Sequence, residues 1–300
     1  MTGSIGEVAA LATAFFWAGS AVAFEAASKR VGSVPVNLLR LVVAFVLLAA
    51  FGLLFHGRAL PLEAPPDAWL WLSLSGLVGF TLGDLCLFRS FVLVGARRSL
   101  LLMCLAPPMT AILGYLFLGE GLSATKLFGM ALTVGGVAWT VLEGHRDPDT
   151  RSSEGRHRAW GIVLAVGGAL GQAGGLILSK QGMVDFAEPF GAAQIRVLAG
   201  ALGFAVAFTF AGVWPRVATA TKDLRALALL GAGAVCGPFI GVSLSLLAVH
   251  NTEAGVASAI MSVTPILMLP VDHFRGQHVS MRAVAGTLLA VGGVVVLFQG

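Results

Sequence analysis

The chain has 300 residues, 57% hydrophobic and only 11% charged, with a mean hydropathy of +0.89. Soluble domains carry about 25% charged residues, so a water-facing globule of this size is excluded and most of the chain has lipid as its solvent. The formal net charge of +4 is small, which excludes the extended basic surface that nucleic acid requires.

Apolar runs near or above the roughly 20 residues that cross a bilayer fall at 5–27, 36–55, 68–94, 97–118, 125–142, 159–178, 189–212, 226–248, 254–272 and 281–298. They predict an all-α membrane protein with ten transmembrane helices. No basic residue precedes the first run and no small-residue cleavage site follows it, so it reads as a retained span. Turn or helix-start chemistry marks the breaks: Val34-Pro35, Pro65-Pro66, Glu188-Pro189 and Trp214-Pro215. The least apolar stretch makes 144–158 a linker between halves 1–143 and 159–300. The closing VLFQG resembles a protease-site remnant and is set aside.

The halves repeat. A shift of 157 residues lays Pro108 on Pro265, Gly119 on Gly276, Gly129 on Gly286 and Gly135-Gly136-Val137 on Gly292-Gly293-Val294. Glu120 falls on Gln277, and slightly different shifts match Arg40 with Arg196 and Ser28-Lys29 with Ser179-Lys180. Five helices per half is odd, so the second half enters from the opposite face. The expected fold is therefore two five-helix inverted-topology repeats. Thirteen Lys and Arg residues fall in one set of loops, against Arg58, Lys126 and Lys180 in the other. By the positive-inside rule the first set is cytoplasmic and both termini lie outside.

The segments APPMTAILGYLFLGEGLSATKLFGMALTVGGVAW (106–139) and TPILMLPVDHFRGQHVSMRAVAGTLLAVGGVVV (264–296) carry a proline-containing helix, a Gly-Glu turn and a Gly-Gly helix. With Arg40 and Arg196 early in the second helix of each half, they make the chain resemble the drug/metabolite transporter superfamily, of the EamA-like ten-helix type. The second copy departs from the pattern at Gln277, where the turn glutamate is lost. The resemblance implies export or uptake of small metabolites, often amino acids, by a secondary mechanism. It also implies cytoplasmic termini, which leaves orientation open against the charge distribution.

Asp84 stands near the middle of the third run, where a carboxylate marks a functional site unless it is paired. It is expected to carry a proton or to face a substrate amine, or else to form a structural pair with Arg40 or Arg89. Thr81 and Phe88 share its helical face. Arg40 and Arg196 either snorkel to the interface or hold a substrate carboxylate as a bidentate pair. Gln172, Trp17 and Ser20 are further polar or aromatic candidates within spans. Pro108 and Pro265 are candidate paired hinges, with static kinks as the alternative. Glu25 and Lys29 have the spacing of a surface pair, and Glu120 is expected to cap the following helix or bind loop amides.

Gly167, Gly171 and Gly175, and Gly233, Gly237 and Gly241, form small-residue faces for close packing. The three cysteines lack a CxxC partner and the histidines lack ligand spacing, so no metal site and no cofactor is expected. Nucleotide-binding and catalytic clusters are missing from the sequence, so ATP is not the expected driver and an enzyme is not expected. The leading expectation is a secondary active exporter of a small polar metabolite such as an amino acid, in the bacterial inner membrane, coupled to protons or to exchange. A flippase for a lipid-linked sugar or other amphiphile and a passive channel are the alternatives. Oligomeric state stays open.

Overall fold

The computed structural model describes residues 3–94, 99, 102–121, 123–143, 155–264, 266–267 and 281–299. In chain order the helices are α1 (Gly3–Val31), α2 (Ser33–His56), α3 (66–94), α4 (Ala106–Leu118) and α5 (Ala124–Glu143) in the first half. The second half holds α6 (Gly155–Gly182), α7 (Pro189–Ala211), α8 (224–251), α9 (Ala254–Met261) and α10 (Met281–Gln299). A short helix the apolar runs do not predict, Trp214–Ala220, precedes α8; Pro215 near its start presets the first turn. Among the described residues no strand occurs. Six helices there are long and apolar enough to cross a membrane, and Ala106–Leu118 and Val284–Val296 are shorter apolar helices.

The repeat is inverted, and the helix directions show it. Each of α5 and α10 packs chiefly along the other. A methyl group at Gly136 of α5 would lie 2.5 Å from the Ala290 nitrogen of α10, and one at Gly293 would lie 2.6 Å from the Thr133 nitrogen. Contacts that step down one helix while stepping up the other mean antiparallel mates. Phe51 near the end of α2 stacks on Phe190 near the start of α7, with ring centroids 4.3 Å apart, so this mate pair is antiparallel too. The first helix of each half lies along the third helix of the other: α6 against α3, and α1 against α8.

Glycine makes these crossings close. A methyl group at Gly171 of α6 would meet the Gly83 Cα at 2.7 Å, and one at Gly175 would meet the Gly79 Cα at 3.0 Å. On α8, Gly233 faces the Phe24 ring and Gly241 faces Trp17. The glycine faces read from sequence are thus packing faces, in a setting where helices associate by contact and not by apolar driving force.

Both α3 and α8 contain a seven-residue π-helical stretch, Leu77–Gly83 and Val235–Gly241. They begin at Leu77 and Val235, an offset of 158, so they are repeat mates. In α8 the cause is plain: Pro238 has no N–H to give the ladder. Counted from these turns, the mate of Asp84 is Val242, so the second repeat carries no acid there.

Adjacent glycines in α5 give an internal control. Gly136 is filled against α10, whereas Gly135 has nothing within 4 Å of its missing Cβ. Gly136→Ala is expected to lower unfolding stability by about 1–3 kcal/mol through overpacking. Gly135→Ala is expected to be neutral or to raise it by about 0.5–1 kcal/mol, the helix-interior gain of alanine over glycine. Thermal unfolding of both variants in detergent measures the difference.

Candidate functional site

Arg40 is the eighth residue of α2 and Arg196 the eighth of α7. Because these mates are antiparallel, the two arginines enter the bundle from opposite ends, each about two turns deep. Asp84 follows directly on the π-helical stretch of α3. The Arg40 Nη2 donates to Asp84 Oδ2 in an ion pair. The two side chains keep 15% and 16% exposure, so the pair is not sealed from water or a ligand. Arg196 approaches the same stretch of α3 at Phe80, four residues before Asp84. The Arg40 guanidinium lies 5.7 Å from the Phe24 ring centroid, and that of Arg196 lies 5.0 Å from the Phe80 centroid. Three charges from α2, α3 and α7 therefore converge where the repeats meet.

Of the two readings of the arginines, the geometry disfavours snorkelling for Arg196, which is only 5% exposed. The partner of Asp84 is Arg40, while Arg89 lies on an exposed position. Thr81 donates to the Gly200 carbonyl of α7 at 3.2 Å, and Ser20 donates to the Trp17 carbonyl at 2.9 Å, so both hydroxyls serve backbone. Trp17 is half-buried against the π-helical stretch of α8. Gln172 is half-buried on α6, beside Gly171 where α3 crosses. Pro108 lies in the first turn of α4, where a missing N–H breaks no ladder bond. Pro265 and the side chain of Phe88 lie outside the described residues.

A second feature is missed by sequence reasoning: a knot of ions that joins the repeats at one end. Gly119, at φ 65, closes α4 in the left-handed region and turns the chain back. The Glu120 carboxylate then accepts from the Ala254 N–H at 2.9 Å and pairs with Lys180 Nζ at 2.6 Å. It caps α9 of the opposite repeat, not the helix that follows it. Lys180 Nζ also donates to the Thr252 carbonyl, Lys126 pairs with Glu253 at 3.1 Å, and the Thr252 hydroxyl donates to Glu7 of α1. The Glu120 side chain is 8% exposed. At the opposite end the pairs among the described residues are solvent-facing: Lys29 with Glu25, and Arg30 with Asp223. At the junction of α2 and α7 is a cavity of about 190 Å³ lined in part by Phe51, His56, Arg58, Glu188, Phe190 and Gln194.

Fold and site together define a multi-pass integral membrane protein made of two inverted copies around a charged centre. The chain belongs to the EamA-like transporter family, which matches residues 4–142 and 159–299, one match per repeat. A curated relative, an uncharacterized transporter in the cobO 3′ region of Sinorhizobium sp, is 36% identical over 129 residues, covering 40% of this chain and 91% of the relative. A solved crystal structure superposes with a TM-score of 0.78 over 98% of this chain and 96% of its own, at 17% identity, a likeness of fold. The protein is thus a membrane transporter of the drug/metabolite superfamily, and the bacterial relative accords with a bacterial inner membrane.

The knot differs in kind from the surface pairs. Glu120→Gln removes one partner of a largely buried pair and is expected to cost about 3 kcal/mol of unfolding stability. Glu25→Gln, in a pair exposed at 42% and 73%, is expected to change stability by less than about 0.5 kcal/mol. A Glu120–Lys180 double-mutant cycle, read by denaturant unfolding, separates the pair from the cap to Ala254.

Proposed function

We propose that the protein is a secondary active transporter that exports a small polar metabolite, such as an amino acid, by alternating access at a site between the repeats. The observation that carries the reading is the Arg40–Asp84–Arg196 cluster. Charges inside a bilayer-spanning bundle persist where they are paired, face water and act on something that moves. Asp84 serves as the coupling carboxylate, exchanging protons as its contact with Arg40 is made and broken. Arg40, Arg196, Gln172 and Trp17 contact cargo, and Ser20 and Thr81 shape the walls around them.

The knot supplies the gate. Glu120, Lys180, Lys126 and Glu253 hold the two repeats together at one end, so access from that side requires these pairs to part. Rocking of one repeat against the other then trades a shut end for an open one. The chemistry is that of a carrier: the centre offers charges that bind and release.

The test is reconstitution in liposomes, with efflux of a panel of amino acids and other metabolites followed with and without a pH gradient. Gradient-driven flux is expected for some cargo of the panel. Asp84→Asn is expected to cut it by about a hundredfold, the lower end of what a positioned proton-transfer group contributes, with the purified variant still monodisperse. Flux that still follows the pH gradient in Asp84→Asn removes the coupling role. Conductance without saturation in the wild type would replace the carrier with a channel.

A further inference from the structure

We propose that Arg196 anchors an acidic group of the cargo, and that the cargo is a small organic acid of net charge −1. The proposal rests on the transport reading above and narrows it to a class of substrate.

The starting observation is an arginine whose hydrogen bonding is unmet. Arg196 is 5% exposed, and its Nε is buried with no hydrogen-bond partner. Among the described residues no carboxylate pairs with it directly, since the Asp84 carboxylate is bonded to Arg40. The Phe80 ring at 5.0 Å covers the face of the guanidinium. A cation–π contact offers no acceptor to the guanidinium edge, so the Nε–H stays unsatisfied. A buried charge without a hydrogen-bonded counter-ion costs several kcal/mol, and native interiors leave few polar groups in that state. The missing partner is an anion that comes and goes.

Its surroundings are glycine backbone. The Arg196 Nη2 lies 3.4 Å from where a Cβ on Gly79 would stand, with the Gly175 Cα at 3.6 Å and the Gly171 carbonyl oxygen at 3.8 Å from the same point. Gly79 of α3 thus adjoins the fork as bare backbone, with Gly171 and Gly175 of α6 packed on the same point. Two oxygens of a carboxylate match the guanidinium edge in a bidentate pair.

Charge sets the rest. The centre holds Arg40, Arg196 and Asp84, two cations and one anion. Repeat symmetry does not supply the second acid, because the position on α8 that matches Asp84 is Val242. A ligand of net charge −1 neutralises the centre. A zwitterion leaves one positive charge in low dielectric, and a cation adds another. Acidic amino acids and simple carboxylic acids satisfy the count; neutral and basic amino acids do not.

Ligand-dependent thermal stabilisation of the purified full chain in detergent tests this, with glutamate, lactate, alanine and lysine as probes. Glutamate and lactate are expected to raise the melting temperature of the wild type, and alanine and lysine to leave it unchanged. Arg196→Gln is expected to weaken acid binding at least about tenfold, the loss of one charge-assisted contact of about 1.4 kcal/mol. Its ligand-free melting temperature should match or exceed that of the wild type, which a purely structural arginine would not allow. Arg196→Lys keeps the charge without the fork and should show a partial loss, so it stands in if the glutamine variant does not fold. Stabilisation by alanine or lysine as strong as by the acids overturns the proposal, as does unchanged acid binding in Arg196→Gln or no response to either acid. Zwitterion flux that ignores Arg196→Gln would defeat the anchor and leave transport intact. Acid binding without gradient-driven flux would defeat transport and leave the anchor.

Discussion

An ionised group inside a bilayer has to be paired or wet, and the placement of α2, α3 and α7 follows from that constraint. Arg40 and Asp84 satisfy it together, one from each of two neighbouring helices. Arg196 satisfies it in part, with Phe80 over one face. Neither Arg40 nor Asp84 can be moved without stranding the other. The bundle must therefore hold three helices in fixed register near its middle, in a solvent that supplies no apolar force to press them together.

Small residues and widened turns hold that register. Gly79 and Gly83 on α3 let Gly175 and Gly171 on α6 come to backbone contact. The π-helical stretch that contains them ends just before Asp84, so it sets the direction in which the carboxylate leaves the helix. Such stretches occur mostly as single local widenings and often at functional sites. Here the matching stretch on α8 holds Trp17 of α1 against Gly241. The same backbone device therefore serves the charged centre in one repeat and an aromatic contact in the other.

Much of this was legible in the residues, for physical reasons that also explain what was not. Apolar run lengths and the repeated Gly-Gly-Val announced the helices and the duplication, because span length and close packing are one-dimensional signals. The odd number of spans per half implied inversion. Arg40 was one of two cations expected beside Asp84, and geometry alone chose it over Arg89. The burial of Arg196 was not legible, since an arginine two turns inside a span looks the same in sequence whether it faces protein or headgroups. Pro238 accounts for the widened turn in α8, but α3 reaches the same shape with no proline. The Glu120–Lys180 pair joins residues sixty positions apart across the repeats, whereas helix spacing rules see only neighbours such as Glu25 and Lys29.

Duplication gives the frame a twofold likeness, yet the chemistry laid on it is one-sided. If both ends closed with the same contacts, the two access states would have equal energies and cargo alone would choose between them. Lys180 breaks that equality: it is half-buried in the knot with Glu120 and Thr252, while its repeat mate Lys29 pairs with Glu25 in solvent. Contacts made in one state and absent in the other bias the equilibrium by their difference in free energy. The loss of the turn acid at Gln277 is the sequence trace of the same bias. On the alternating-access reading proposed above, a centre short of one negative charge and an end held by partly buried ions act on a single balance. An anion on Arg196 would change the cost of the charges between the repeats, the knot would set the cost of parting them, and transport would need the first to vary enough to work against the second.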